Sequence, residues 1–388
     1  MPPTPGTGTN PMTETALVRG ATTPSDPRPR IARVPLVIAA LVVVAIVAGV
    51  AWWFLGQRAA VPDWDRVAAI DLKAPAGDAF ENETPWVSLK IEPVRPGEAN
   101  SITMSLETRQ STPMASGNAG PTILEATAQP LTDQSAAQPL TLEPDPASTG
   151  SFSASVNFDQ PGWWRVSVAV AGATDPANFY LIVPDPNING PGAVPSQRSS
   201  PEGEALYARG LNGITSLQSV RFSQLTADGN GNAGLSEHAV SAGGDGAPPG
   251  FIFRAAGGMD AVIIGDSRWI KLPGELGWTR QEGAITVPPS DWDEEYLGAT
   301  GFTILGQETL DSDPVQLLAF VVPEVMEPRR QTAAWYLWWV DEATGRVRRE
   351  AMVSRVHYML NDFRDFDVPI PLEPPASPGT PVAATPMP

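Results

Sequence analysis

Apolar positions along the chain follow three different patterns. Val34 to Leu55 reads VPLVIAALVVVAIVAGVAWWFL, a continuous run with no charge. As a helix at ~1.5 Å per residue, it is long enough to cross a hydrocarbon core of roughly 30 Å. From Trp86 to Val183 the pattern becomes short stretches with every second residue apolar. Ile102, Met104 and Leu106 share one face of SITMSL, and Phe152, Ala154, Val156 and Phe158 share one of SFSASVNF. Trp164, Val166, Val168 and Val170 make a third such row, and WVSLKI and NFYLIV add two more runs. Period-two alternation marks half-buried strands. Turn signals, PVRPGEAN, PDPASTG and DQPG, separate the runs. About seven strands in roughly 120 residues predict a small antiparallel sandwich.

The pattern after residue 199 opens differently. SSPEGEALYARGLNGITSLQSV offers Ser199 and Glu202 at capping-box spacing, or Ser200 as cap with Pro201 in the first helical position. Leu206, Leu211, Ile214 and Leu217 fall roughly on one helical face, while Gly210 and Gly213 weaken the prediction of its length. Strand-like runs then follow to Leu360: SVRFSQLTA, GFIFRA, AVIIGDSRWIKL, FTILGQETL, VQLLAFVV, WYLWWV and REAMVSRVHYML. The fold class is mainly β: a transmembrane helix, a sandwich, then an α+β unit with a curved antiparallel sheet.

Composition places the borders. Of 388 residues, 42 are Pro and 35 Gly, and clusters of them mark non-globular segments. Residues 1–33 read as a disordered tail, 34–55 as the span, 61–184 as the sandwich and 185–198 as a linker. Residues 199–370 read as the second domain and 371–388 as a Pro-rich tail. Arg19, Arg28, Arg30 and Arg33 precede the span, and Trp52 and Trp53 end it. Positive charge before a span puts the N-terminus in the cytoplasm, and the paired Trp suit the opposite interface. The expectation is a single-pass signal anchor in the cell membrane with both domains extracytoplasmic. A cleaved signal peptide is the alternative, with the long leader and long apolar run against it.

Charge and residue types narrow the chemistry. The formal net charge of -18 opposes nucleic-acid binding, which needs a basic surface. The chain has no Cys, which rules out disulfides, thiolate catalysis and iron–sulfur clusters. Its two His, His238 and His357, are too few for a His-built metal site. No cofactor is expected.

Two resemblances follow from these motifs. LKIEPVRPGEANSITMSL, then GSFSASVNFDQPGWWRVSVAV, resembles the YtkA-like or CopC-like immunoglobulin-fold domains of bacterial envelope proteins, over about 86–184. Some relatives handle copper through His and Met. Only Met104 and Met114 are available here, so a copper accessory role is a minor alternative. Over about 200–370, the lone helix, A-VIIGD-x-x-W-x-K, LG-x-E-x-LD, W-VD-x-x-TG-x-x-R and H-x-M-x-DF-x-DF-x-VPI are similar to the LolA-like and LppX/LprG-like lipoprotein carrier domains. That resemblance implies a half barrel around an apolar cavity, with a lipid or other hydrophobic ligand as cargo.

The densest aromatic stretch is WYLWWVDEATGRVRR, Trp335 to Arg349. DEATG reads as a hairpin loop with Gly345 at positive φ. Pairing Val340 with Arg346 puts Trp335, Leu337 and Trp339 on an apolar face and Tyr336 and Trp338 on a face beside charge, as at a solvated surface. The apolar face is either plain core under the helix or a ligand wall. Phe253, Val262, Trp269, Leu318, Phe320, Trp335, Leu337 and Trp339 are the candidate ligand-lining residues. No catalytic residue is assigned. Gly265-Asp266-Ser267 is similar to the GDS of GDSL hydrolases, with His357 as partner, but Ser354 stands where that family has its Asp, and a two-residue hairpin turn explains the motif without chemistry. DGNGNAG lacks the Gly and Glu that an EF-hand loop needs, and SDWDEEYLG reads as a solvated acidic loop. The leading expectation is an envelope protein that binds a hydrophobic ligand, with the sandwich as spacer or interaction module. The alternative is a structural or sensory protein that binds an envelope protein partner and no ligand.

Overall fold

The computed structural model describes residues 70–376 except 78–83, 93, 108–121, 147, 149, 184–198, 229–231, 245, 284–285, 324–332 and 355–356. The expected span at 34–55, the tail before it, the linker 185–198 and Met114 lie outside the described residues. Among those described, no helix is long and apolar enough to cross a membrane. Residues 62–388 form one compact unit.

The first half is two antiparallel sheets. One contains β1 (Ile70–Pro75), β2 (Trp86–Glu92), β3 (Ala99–Glu107), β6 (Glu143–Pro144) and β7 (Ser151–Asn157), in the order β1-β2-β3-β7-β6. The other, β5-β4-β8-β9, contains β4 (Ile123–Pro130), β5 (Gln138–Pro139), β8 (Gly162–Val170) and β9 (Ala177–Val183). The alternating rows point inward: Ile102, Met104, Leu106, Trp164, Val166 and Val168 are all buried. The PVRPGEAN turn is tied by Asn100, whose amide donates to the carbonyls of Arg95, Glu98 and Val156 while its oxygen accepts from Arg95 N–H. β1 and β4 were passed over in the sequence: Ile70, Leu72 and Ala74 do alternate in IDLKAP but in a run of only six residues, and the row in ILEATAQP rests on the small Ala126 and Ala128.

The second half opens with α1 (Pro201–Thr215). Ser200 caps it, accepting from Gly203 N–H at 2.9 Å, and Pro201 takes the first position. Ser199 instead accepts from Gly301 and Phe302 N–H, so the capping-box alternative does not form. One eleven-stranded antiparallel sheet follows, built from β10 (Ser219–Ala227), β11 (Ala233–Ser241), β12 (Gly250–Ala255), β13 (Asp260–Ile264), β14 (Ser267–Lys271) and β15 (Thr279–Glu282) on one side. On the other are β16 (Thr300–Leu310), β17 (Asp313–Val322), β18 (Ala334–Asp341), β19 (Val347–Ser354) and β20 (Tyr358–Arg364). The order is β15-β14-β13-β12-β11-β10-β20-β19-β18-β17-β16, so the pairing of β10 with β20 joins two meanders.

This sheet is covered on both faces. On one side lie α1 and a 3₁₀ helix, Pro289–Tyr296, over Leu318, Phe320, Tyr336 and Trp338. On the other side Val315, Leu317, Trp335, Leu337 and Trp339 join the core of the sandwich. Tyr180 packs edge-on to Trp339 at 4.8 Å, and Arg165 pairs with Glu308 at 2.8 Å. Every residue of β18 is buried. Two expectations are thereby corrected. The Tyr336/Trp338 face is core under the helix, not a solvated surface, and the Trp335/Leu337/Trp339 face meets the sandwich, not the helix. A strand buried on both faces reads as one continuous apolar run, and such a run does not say which face meets which neighbour. The register also differs from the expected pairing, because a bulge between Trp339 and Val340 sets Trp339 opposite Arg349. The slip is two residues, so the division of side chains between faces survives. Gly345 has φ 72°, as the hairpin loop requires.

Candidate functional site

On the helix side of the sheet, away from α1, a cavity of about 350 Å³ opens between the strands and the 3₁₀ helix. Its floor follows from register. Phe222 on β10 stands opposite His238 on β11 and Phe363 on β20, and Gln224 stands opposite Asn361, which in turn faces Glu350 on β19. Residues directly opposite share a face, so these side chains emerge together. Val240, Phe251, Ile263 and Met359 complete the floor. The roof is the segment Thr286–Val287 with Trp292, Glu295 and Tyr296 from the 3₁₀ helix.

The polar groups in this apolar setting are ordered. Glu350 is buried and accepts three hydrogen bonds: from Tyr296 Oη at 2.7 Å, Trp338 Nε1 at 2.6 Å and Asn361 Nδ2 at 3.0 Å. Gln224 Nε2 donates to Asn361 Oδ1 at 3.0 Å, which fixes the Asn361 amide with its N–H toward Glu350. Burial pushes the Glu350 carboxyl up, and its three donors pull it back. Water reaches part of Glu295 at the cavity mouth, yet the protein around it, and then the charge of Glu350, push its carboxyl up to about 7. Burial lowers His238 to about 4, so its ring is neutral at physiological pH. That ring stacks on Phe222, centroids 4.4 Å apart, and shares a 2.7 Å hydrogen bond between Nε2 and Ser236 Oγ. His238 Nδ1 and Thr286 Oγ1 are buried without a hydrogen-bond partner.

The expected lining residues divide by strand parity. Phe253 lies on the cavity face, 5.2 Å from the His238 ring, just beyond the lining. Leu318 and Phe320 share that face but pack beneath α1 and Tyr296. Val262 and Trp269 pair with each other on the opposite face, in line with Ile252 and Ala239. Trp335, Leu337 and Trp339 also lie on the opposite face, in the core shared with the sandwich. The structure therefore does not bring these eight residues into one site. Sequence reasoning passed over Glu350, His238, Trp292 and Tyr296. The available signal was a Glu inside an apolar strand, and two aromatics four apart within the acidic run, which forms the 3₁₀ helix rather than a loop.

The other motifs resolve locally. Ile264 pairs with Ser267 across a two-residue turn with Gly265 at φ 58°. Ser267 Oγ donates to Glu282 and accepts from Arg280, each at 3.0 Å. His357 lies exposed just before β20, which is five strands from β14 in the sheet, on the order of 24 Å along it. The Ser and His are not a pair. Both carboxylate oxygens of Asp228 bond Asn232 across the DGNGNAG loop.

No protein-family model matches the chain, and no curated protein matches it in sequence. Solved structures do. LprF from Mycobacterium bovis is similar with a TM-score of 0.37 at 14% identity, over 46% of this chain and 100% of LprF. The Mycobacterium tuberculosis lipoprotein LppX gives 0.34 at 14% identity, over 45% and 100%. A LolA superfamily protein from Nitrosomonas europaea gives 0.20 at 13% identity, over 42% and 92%. At these values the likeness carries no argument about ligand or partner.

Proposed function

We propose that this chain is a membrane-anchored extracytoplasmic binding protein whose curved sheet takes up a small hydrophobic ligand beneath the 3₁₀ helix. The cavity carries this reading: about 350 Å³, walled by aromatic and aliphatic side chains, with a few fixed polar groups. Binding sites for small molecules commonly have that character and volumes of roughly 300–1,000 Å³. The driving force is removal of apolar ligand surface from water, about 25 cal/mol per Å². Anchoring is supported by the uncharged run Val34–Leu55 and the arginines before it. The sandwich is a backing that buries the outer face of β17–β19, a tighter role than a spacer.

Residues 62–388 form a compact unit, and both core clusters lie inside it, so this segment serves for the test. Titrating it with 1-octanol should quench or shift its tryptophan fluorescence saturably, since Trp292 lines the cavity. Ile263→Trp, which fills the floor from β13, should abolish the response with the fold retained by circular dichroism. A native protein that takes up no octanol, and releases no apolar molecule on organic extraction, overturns the proposal.

A further inference from the structure

We infer that the cavity selects a ligand with a primary ammonium head on a single apolar body. The inference rests on the reading of the cavity as a ligand site. It starts from Glu350, which accepts from Tyr296, Trp338 and Asn361 and donates to none of them. Trp338 Nε1–H and Asn361 Nδ2–H can only donate to it, so both of its oxygens serve as acceptors, and a cation beside it would favour the charged carboxylate that burial disfavours. No Lys or Arg pairs with it, and none lines the cavity, among the described residues. A buried charge without an opposite charge is costly, by several kcal/mol in general, and a cation entering the cavity would offset it.

The rest of the lining has the same bias. Phe222, Phe251, Trp292 and Tyr296 present aromatic rings to the cavity, and ring faces attract ammonium groups. His238 is buried, and its Nδ1 has no partner, nor has the Thr286 hydroxyl. Glu350 Oε1 holds one bond only, so it has room to accept from an N–H of a primary amine, while His238, three strands away and roughly 14 Å along the sheet, lines the part of the cavity left to the apolar body. Nothing described in the lining would neutralise a phosphate or carboxylate head. The volume suits one medium-length chain and not a two-chain lipid.

Calorimetric titration of residues 62–388 with octylammonium, 1-octanol and octanoate at neutral pH compares three heads on one chain. Octylammonium should bind at least about tenfold more tightly than octanol, as a charge-assisted contact warrants, and octanoate should bind weakest. Glu350→Gln preserves shape: its oxygen still accepts from Tyr296 and Trp338, and its new amide nitrogen requires the Asn361 and Gln224 amides to turn over so that Asn361 presents its oxygen. In this variant the ammonium preference should fall to within about twofold while octanol still binds, which also shows that the cavity is intact. Thr286→Val, at the roof, should lower the ratio of octylammonium to octanol affinity. If octanol or octanoate binds the native protein as tightly as octylammonium, or the preference survives Glu350→Gln, the head assignment is overturned and the hydrophobic-ligand reading stands. If none of the three probes binds, the head assignment falls, and the hydrophobic-ligand reading falls with it when organic extraction also releases no apolar molecule.

Discussion

His238 and Gly213 show how single residues in this fold depend on their neighbours. Neutral His238 is held against Phe222 in a setting that resists its protonation. Its folded-state pKa lies near 4, below the unfolded value of 6.5, so the unfolded chain takes up the proton first as pH falls. The stability tied to His238 is therefore full above pH 6.5 and is lost between 6.5 and about 4, to an extent of roughly 3 kcal/mol. Urea unfolding of the native protein and of His238→Phe across this range should show the steeper decline in the native protein. Parallel declines would mean the ring is not buried neutral. Gly213 is a packing residue in a helix: a Cβ there would stand 2.4 Å from the Gly345 carbonyl oxygen. Ala is the better helix former by about 1 kcal/mol, yet overpacking costs about 1–3 kcal/mol. Gly213→Ala should therefore lower the thermal midpoint, whereas a rise would show that helix propensity dominates.

At the scale of elements, alternation made most strands legible. β2, β3, β7 and β8 lie where the apolar rows put them, because in each one face is more buried than the other, and β9, buried on both faces, lies where the continuous run NFYLIV put it. α1 was legible from Ser200-Pro201, and its glycines, which weakened the prediction of its length, are what let it approach Trp338 and the Gly345 carbonyl. The cavity was not legible. Its floor draws on strands from β10 to β20, and their pairing closes a long loop of sequence that local pattern does not encode. Its roof comes from SDWDEEY, where charge hides the two aromatics that matter. The residues chosen from β18 illustrate the point: Trp335, Leu337 and Trp339 are as buried as expected, but parity relative to His238 and Glu350 depends on every intervening register. Chemistry-bearing groups were hidden by being ordinary in type, a Glu and an Asn on strands, and gain meaning only when Gln224, Asn361 and Glu350 line up.

For the molecule as a whole, the shared core decides how it holds together. The sandwich and the outer face of the large sheet contribute to one buried cluster, in which Trp339 meets Tyr180 and donates through Nε1 to Glu308 at 3.0 Å. Glu308 also holds Arg165, and Arg349 reaches Tyr180 Oη at 3.4 Å. Exposing the Trp335/Leu337/Trp339 face would uncover a large apolar patch, so the sheet gains much of its stability from the sandwich. Loosely tethered domains would unfold in separate steps, whereas units that share a core unfold together. Hydrogen exchange on residues 62–388 in rising urea should therefore show β8 and β9 losing protection together with β18 and β19. Trp339→Ala removes the ring at the centre of the junction and should cost about 3–5 kcal/mol. The loss should register as faster exchange in both halves, although the substitution lies in one. Exchange confined to β17–β19, with β8 and β9 unchanged, would mean that the sandwich folds independently and that the contact at Trp339 contributes little to it.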